Sequence, residues 1–198
     1  TQILMQGGMN PDLPLNWYID LLRAIKLRFP KVHIHAFSPP EFVEFVRFFS
    51  PPGADLREQL LWVMKRLKDA GLDSVPGGGG EIFAHHVRRK IGLGKCTADE
   101  WLMVMHVAHE LGMNTSATMM FGHIEGIADR IHHMELVRQW QDRAERDFAS
   151  DGGGRYKAFI AWPFQRENTP LGNANEWGKS EGDDQTESYP ACAGREFD

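Results

Sequence analysis

The sequence predicts an α/β domain on a parallel sheet, laid out as a TIM-type (β/α) barrel. Three observations carry that expectation. Short apolar runs alternate five times with amphipathic stretches of helical period, as in a parallel sheet built from right-handed crossovers. Gly and Pro punctuate the junctions between them. The polar residues collect just after the apolar runs, at Gly7-Gly8, His35 and Ser38, Gly77 to Gly80, Gly122-His123 and Trp162-Pro163. A doubly wound sheet fits the same alternation; polar residues at strand C-termini favour the barrel, which builds its sites there.

In chain order, residues 1–5 read as a buried parallel strand leaving through Gly7-Gly8. Leu15, Tyr18, Ile19, Leu22, Ile25 and Phe29 share one helical face, with Asp20, Arg23 and Lys26 off it, until Pro30 stops the helix. Residues 32–37 form the next strand. Ser38-Pro39-Pro40-Glu41 is a helix start, with Ser at the N-cap, Pro in the first turn and Glu three residues on. The helix over 42–49 breaks at Ser50-Pro51-Pro52-Gly53. A helix over 55–70 closes at Gly71, and a short strand over 72–75 runs into Pro76 and four glycines. Thr97-Ala98-Asp99-Glu100 is a second capping box, opening a helix lined by Trp101, Val104, Met105, Ala108 and Leu111 and closed by Gly112. A strand over 115–121, a long polar-faced helix over 124–149, a turn at Gly152-Gly153-Gly154 and a strand over 156–161 complete the pattern.

At 198 residues, the chain suffices for one domain with a sizeable core. Its 42% hydrophobic and 25% charged residues are ordinary for a globular protein. A net charge of -5 speaks against a nucleic-acid partner, because phosphate neutralisation needs clustered Lys and Arg. No apolar run approaches the roughly 20 residues of a membrane span, and no signal-peptide pattern appears, so no membrane partner and a cytoplasmic location are expected. Residues 1–171 are expected to form the barrel part. Residues 172–198, rich in Gly, Asp, Glu and Ser without apolar periodicity, are expected to be disordered or foreign to the fold. Together with a start inside a strand, that tail suggests a truncated or frame-shifted gene product.

Most isolated motifs have ordinary readings. The four glycines after Val75 lack a Gly-Lys-Ser/Thr ending and a G-x-G-x-x-G frame, so they read as a tight turn rather than a triphosphate loop. His106-Val107-Ala108-His109-Glu110 matches neither zincin order, and the two histidines read as a solvated or partly packed pair near a helix C-terminus. The pairs His85-His86 and His132-His133 diverge on a helix and chelate poorly. No Gly-x-Ser-x-Gly elbow appears. Glu41 reads as the acid of its capping box, and Glu81 as an acidic first-turn residue. Cys96 and Cys192 make neither a disulfide framework nor a cluster site, and each is expected as a single free thiol.

Five blocks in a fixed order go further: Gln6-Gly7-Gly8 with Asn10-Pro11-Asp12-Leu13, His33 to Glu41, Leu72 to Ile82, Ala117 to Glu125, and Trp162-Pro163-Phe164-Gln165. Together they resemble the radical S-adenosylmethionine (radical SAM) enzymes, and within them the dehypoxanthine futalosine cyclases of menaquinone biosynthesis. Aminofutalosine synthases and the deazaflavin-precursor (FO) synthase subunit share the Gly-rich and Gly-His blocks. The resemblance implies strands two to six of a radical SAM barrel over residues 1–171. In that family a C-x3-C-x2-C loop after the first strand binds a [4Fe–4S] cluster that cleaves S-adenosylmethionine (SAM) to a 5'-deoxyadenosyl radical. In the cyclase this radical takes a ribose hydrogen, and the carbon radical closes onto the aromatic ring. The cysteine loop has no counterpart in this sequence, so no metal ligands are expected on this chain and the fragment is expected to be inactive alone.

The resemblance further implies SAM contacts at Gln6, Gly7, Gly8, Ser38, Gly122 and Glu125. It implies substrate contacts at His35, Glu41, His123, Trp162, Phe164 and Arg166. Glycines expose backbone groups to a zwitterion, aromatic rings stack on an aromatic substrate, and Arg166 could pair with a carboxylate. The implied partners are a nucleoside-like small molecule and an electron donor such as flavodoxin or ferredoxin. The competing readings are a related radical SAM enzyme, either aminofutalosine synthase or FO synthase subunit, and a non-catalytic truncated product.

Overall fold

Five strands pair side by side, all parallel, in the order in which the chain supplies them. They are β1 (Gln2–Met5), β2 (His33–Ala36), β3 (Ser74–Val75), β4 (Asn114–Phe121) and β5 (Tyr156–Pro163). The structure is a computed structural model; it describes residues 1–8, 10–91, 96–148, 150 and 152–173. Helices α1 (Leu15–Arg28), α2 (Pro39–Phe49), α3 (Leu56–Asp69), α4 (His85–Lys90), α5 (Ala98–Glu110), α6 (Ile127–Phe148) and α7 (Pro170–Asn173) alternate with the strands. Sequential order with no strand reversal is the signature of a barrel arc rather than a doubly wound sheet, whose order turns back at a switch point. The described chain is a half-barrel. The expectation for residues 172–198 falls almost wholly outside the described residues, since only Gly172 and Asn173, within α7, are described.

The core lies between the sheet and its helical layer. Leu22, Ile34, Phe42, Phe45, Leu60, Met64, Leu67 and Trp101 are fully buried there. Tyr18, Phe37, Phe42 and Phe45 meet edge to face, with centroids 4.9 to 6.1 Å apart, the geometry that ring quadrupoles favour. The capping box at Thr97 forms as the spacing predicts: Thr97 Oγ1 accepts from the Glu100 amide at 3.1 Å, and Glu100 Oε2 accepts from the Thr97 amide at 2.7 Å.

Two expectations need correction. His106 and His109 are buried, not solvated or partly packed. His109 Nε2 pairs with Thr115 Oγ1 at 2.8 Å, and His106 packs against Trp140 and Phe148. Glu81 opens no helix: it sits in a loop at φ +42°, and α4 begins only at His85. Helix α4 itself has no signal in its sequence, being six residues long with no side-chain cap and few apolar positions. Among the described residues, no helix is long and apolar enough to cross a membrane.

Candidate functional site

The turns after β1, β2 and β3 meet at the C-terminal end of the sheet and enclose a cleft of about 460 Å³. Gln6, Gly7, Gly8, Ser38 and Glu41 line it, together with Gly78, Gly79, Glu81 and Arg88. A second cavity of about 540 Å³ lies along the inner face of the sheet and contains His33, His35, Ser74 and Trp162. Gln6 and Gly78 line both spaces, so the two adjoin.

Glu41 ties the first two turns together. Its Oε2 accepts from the Ser38 amide and hydroxyl, both at 2.7 Å, and its Oε1 accepts from the Gly7 amide at 3.2 Å. The capping role read from the sequence is therefore real, and the same carboxylate also fixes the β1 exit turn. Phe37, just before Ser38, holds φ +60°, a costly conformation for a bulky residue. Close ring packing against Tyr18, Phe42 and Phe45 holds it there.

The third turn is glycine because neighbours leave no room for a Cβ. At Gly77 a Cβ would lie 2.4 Å from the Ser116 carbonyl oxygen, and at Gly80 it would lie 2.7 Å from that of Thr118. Buried Arg88 holds this loop from behind, donating to the carbonyls of Gly80 (2.8 Å) and Cys96 (2.7 Å). Sequence reasoning missed Arg88, since nothing in His85–Lys90 separates it from its neighbour Arg89. It also missed Glu81, whose Oε2 is buried without a partner on the cleft wall. Burial pushes the Glu81 carboxyl above the usual range, although Arg88 pulls it the other way. Gly7 and Gly8 differ from the third turn: a Cβ at either would meet nothing within 4 Å. Packing does not require glycine there.

The remaining expected site residues line neither space. Burial pushes the Glu125 carboxyl up, but the Gly122 and His123 amides, at 2.5 and 2.9 Å, outweigh it and hold it below the usual range. Arg130 Nε completes this pocket at 2.7 Å from Glu125 Oε1. His123 is buried 3.2 Å from Glu125 Oε2, with its ring edge-on to Phe164. Burial lowers its pKa despite the neighbouring carboxylate. Arg166 donates to the Gly172 carbonyl at 2.8 Å. Glu125, His123 and Phe164 thus form a closed cluster beyond β4, and Arg166 braces α7.

Two implied groups can be tested against these residues. The open space over Gly7 and Gly8, together with the unpartnered Glu81 oxygen, fits a ligand that carries a zwitterion and a cationic centre, as SAM does. A [4Fe–4S] cluster does not fit the described residues. Among them no group of three or more His, Cys, Asp or Glu could hold a metal. Cys96 is a buried free thiol whose pKa burial raises to about 11; Cys192 lies outside the described residues.

Comparison with known proteins agrees with this geometry. Residues 1–137 match the Radical SAM superfamily. The chain is 41% identical over 181 residues to the aminodeoxyfutalosine synthase of Thermus thermophilus, covering 91% of this chain and 44% of that protein. It is 40% identical over 171 residues to the cyclic dehypoxanthine futalosine synthase of Halalkalibacterium halodurans, covering 86% and 42%. The FO synthase of Mycobacterium leprae is 38% identical over 171 residues, covering 86% and 18%. The chain therefore spans less than half the length of each of these relatives.

Proposed function

This chain belongs to the radical SAM superfamily, and on that premise we propose that it carries the SAM-binding and substrate-binding arc of an enzyme that cyclises dehypoxanthine futalosine in menaquinone biosynthesis. The observation that carries this reading is the meeting of three separate turns, around Gly7, Ser38 and Gly78, on one cleft beside an inner cavity holding His35 and Trp162. SAM, when bound, supplies the hydrogen-abstracting chemistry of the family. Gln6, Gly7, Gly8 and Ser38 offer it backbone and side-chain polar groups, and Glu41 fixes the geometry of their turns while facing the substrate side. His35 and Trp162 hold the substrate in the inner cavity, where the indole stacks on its aromatic ring. Gly122, His123, Glu125 and Phe164, closed on one another beyond β4, and Arg166, bonded to the Gly172 carbonyl, brace the rim of the arc rather than touch either ligand. The reductant is a low-potential donor such as flavodoxin or ferredoxin.

The Ser-Pro-Pro-Glu block at Ser38 to Glu41 and the Trp162 to Gln165 block favour the cyclase. The 41% identity to an aminodeoxyfutalosine synthase favours the second reading, addition of the deoxyadenosyl group to a substrate double bond. The test joins this chain to the first strand and three-cysteine loop of a close relative, then analyses products by chromatography with mass detection. The cyclase consumes dehypoxanthine futalosine, releases free 5'-deoxyadenosine and gives a product with unchanged carbon count and one more ring. Turnover of the aminofutalosine or deazaflavin precursor instead, with dehypoxanthine futalosine ignored, would overturn the assignment.

A further inference from the structure

The inner face of the half-barrel carries a run of hydrogen bonds that positions no ligand by itself. His33 and His35 lie two residues apart on β2 and therefore face the same side. Both reach one hydroxyl: His33 Nε2 lies 2.7 Å and His35 Nδ1 lies 2.6 Å from Ser74 Oγ. Ser74 is buried and stands opposite His35 in the β2–β3 pairing. All three line the inner cavity with Trp162. His33 is exposed at the N-terminal end of the strand, whereas His35 is half-buried nearer the cleft.

The chemistry of this arrangement is restrictive. A serine hydroxyl has one proton to donate, and a neutral imidazole has one N–H and one bare nitrogen. If Ser74 donates to His35 Nδ1, it can accept from His33 Nε2–H, and both rings are then Nε2–H tautomers. A proton arriving at His33 Nδ1 lets Nε2–H pass to Ser74, the Ser74 proton pass to His35 Nδ1, and His35 Nε2–H leave. The result is two Nδ1–H rings, one proton carried from end to end, and no heavy atom moved.

We propose that His33, Ser74 and His35 form a proton relay along the inner face, ending at His35 Nε2, which exchanges a proton with a nucleoside-like substrate in the cavity. The inference rests on the reading that the cavity takes the substrate; Ser74 and His33 act through His35 as positioning residues. Burial and the neighbouring His33 both lower the His35 pKa, which favours the neutral ring that the relay needs. The surrounding charges leave the relay free to work. Lys157 of β5 is the charged side chain lining the same cavity. Asp73, next to Ser74, is committed to Lys26 Nζ at 2.5 Å and the Ile34 amide at 2.7 Å. The cavity-lining residues of β1 and β4 carry no charge.

The test is 15N NMR of the 198-residue chain labelled at histidine, with His33→Gln and His35→Gln used to assign the rings. The relay requires both neutral rings in the same tautomeric state, so that one of the two nitrogens facing Ser74 bears a proton and the other is bare. Ser74→Ala should shift both rings and uncouple their titrations, and Ser74→Thr, which keeps the hydroxyl, should restore the coupling. A His33 Nε2–H with a His35 Nδ1–H, leaving Ser74 a double acceptor, would overturn the proposal, as would unchanged shifts in Ser74→Ala. The wild-type tautomers decide the matter even if the alanine variant does not fold. No substrate is present in this measurement, so its failure is separate from failure of the cyclase reading in the product assay.

Discussion

The Glu41 carboxylate, on the first turn of α2, accepts the amide of Gly7 from a different strand's exit turn at 3.2 Å while its other oxygen holds Ser38. One side chain thus serves as helix cap and as clamp between two turns of the cleft. Glu41→Ala leaves these donors without their acceptor, and it should cost about 1–3 kcal/mol of folding stability. Glu41→Gln, which keeps one acceptor oxygen, should cost less. Denaturant midpoints of the two variants measure this, and equal midpoints for wild type and Glu41→Ala would contradict it.

Gly8 and Gly77 should respond oppositely to alanine. Nothing stands within 4 Å of a Cβ at Gly8, whereas one at Gly77 meets the Ser116 carbonyl oxygen at 2.4 Å. Gly8→Ala should leave stability within about 0.5 kcal/mol of wild type and weaken SAM binding in a calorimetric titration. Gly77→Ala should destabilise the fold by about 1–3 kcal/mol through overpacking. Wild-type SAM affinity in Gly8→Ala would show that the open space over the β1 turn is not where SAM sits.

Three buried histidines should make the fold acid-sensitive. Burial lowers the pKa of His106 and His133 to about 4 and that of His109 to about 3, from an ordinary value of 6.5. Below pH 6.5 the unfolded chain takes protons that the folded chain refuses. Stability is therefore full above that pH and is lost as pH falls. Each such histidine contributes about 2 kcal/mol of loss between pH 6.5 and 5. Urea unfolding at pH 7, 6 and 5 should show the decline, and His109→Gln should flatten it. A pH-independent midpoint would contradict this account.

The two outer strands should make the isolated chain associate. Among the described residues β1 pairs only with β2 and β5 only with β4. Exposed Leu4 lies on the first of these strands, and exposed Phe159 and Ile160 on the second. Unpaired apolar edges template strand addition. Light scattering of the 198-residue chain should rise with concentration, and a monomer peak that holds at all concentrations would refute the expectation.

The sequence by itself determined the order and type of the long elements. Apolar periods, two capping boxes and the Gly and Pro stops are local signals, and β1 to β5 and α1, α2, α3, α5 and α6 lie where those signals put them. It also determined the family, because five blocks in order are specific where any single motif is not. Helix α4 escaped because six residues without a cap carry too little period to detect. Burial of His106 and His109, the grip of Arg88 on the glycine loop, and the left-handed backbone of Glu81 were decided by tertiary packing alone. The physical reason is that desolvation and close approach depend on which distant segments arrive at a residue. Ser74 shows this most simply: in the sequence it is one serine in a short strand, and only the pairing of β3 with β2 brings two imidazoles onto its hydroxyl.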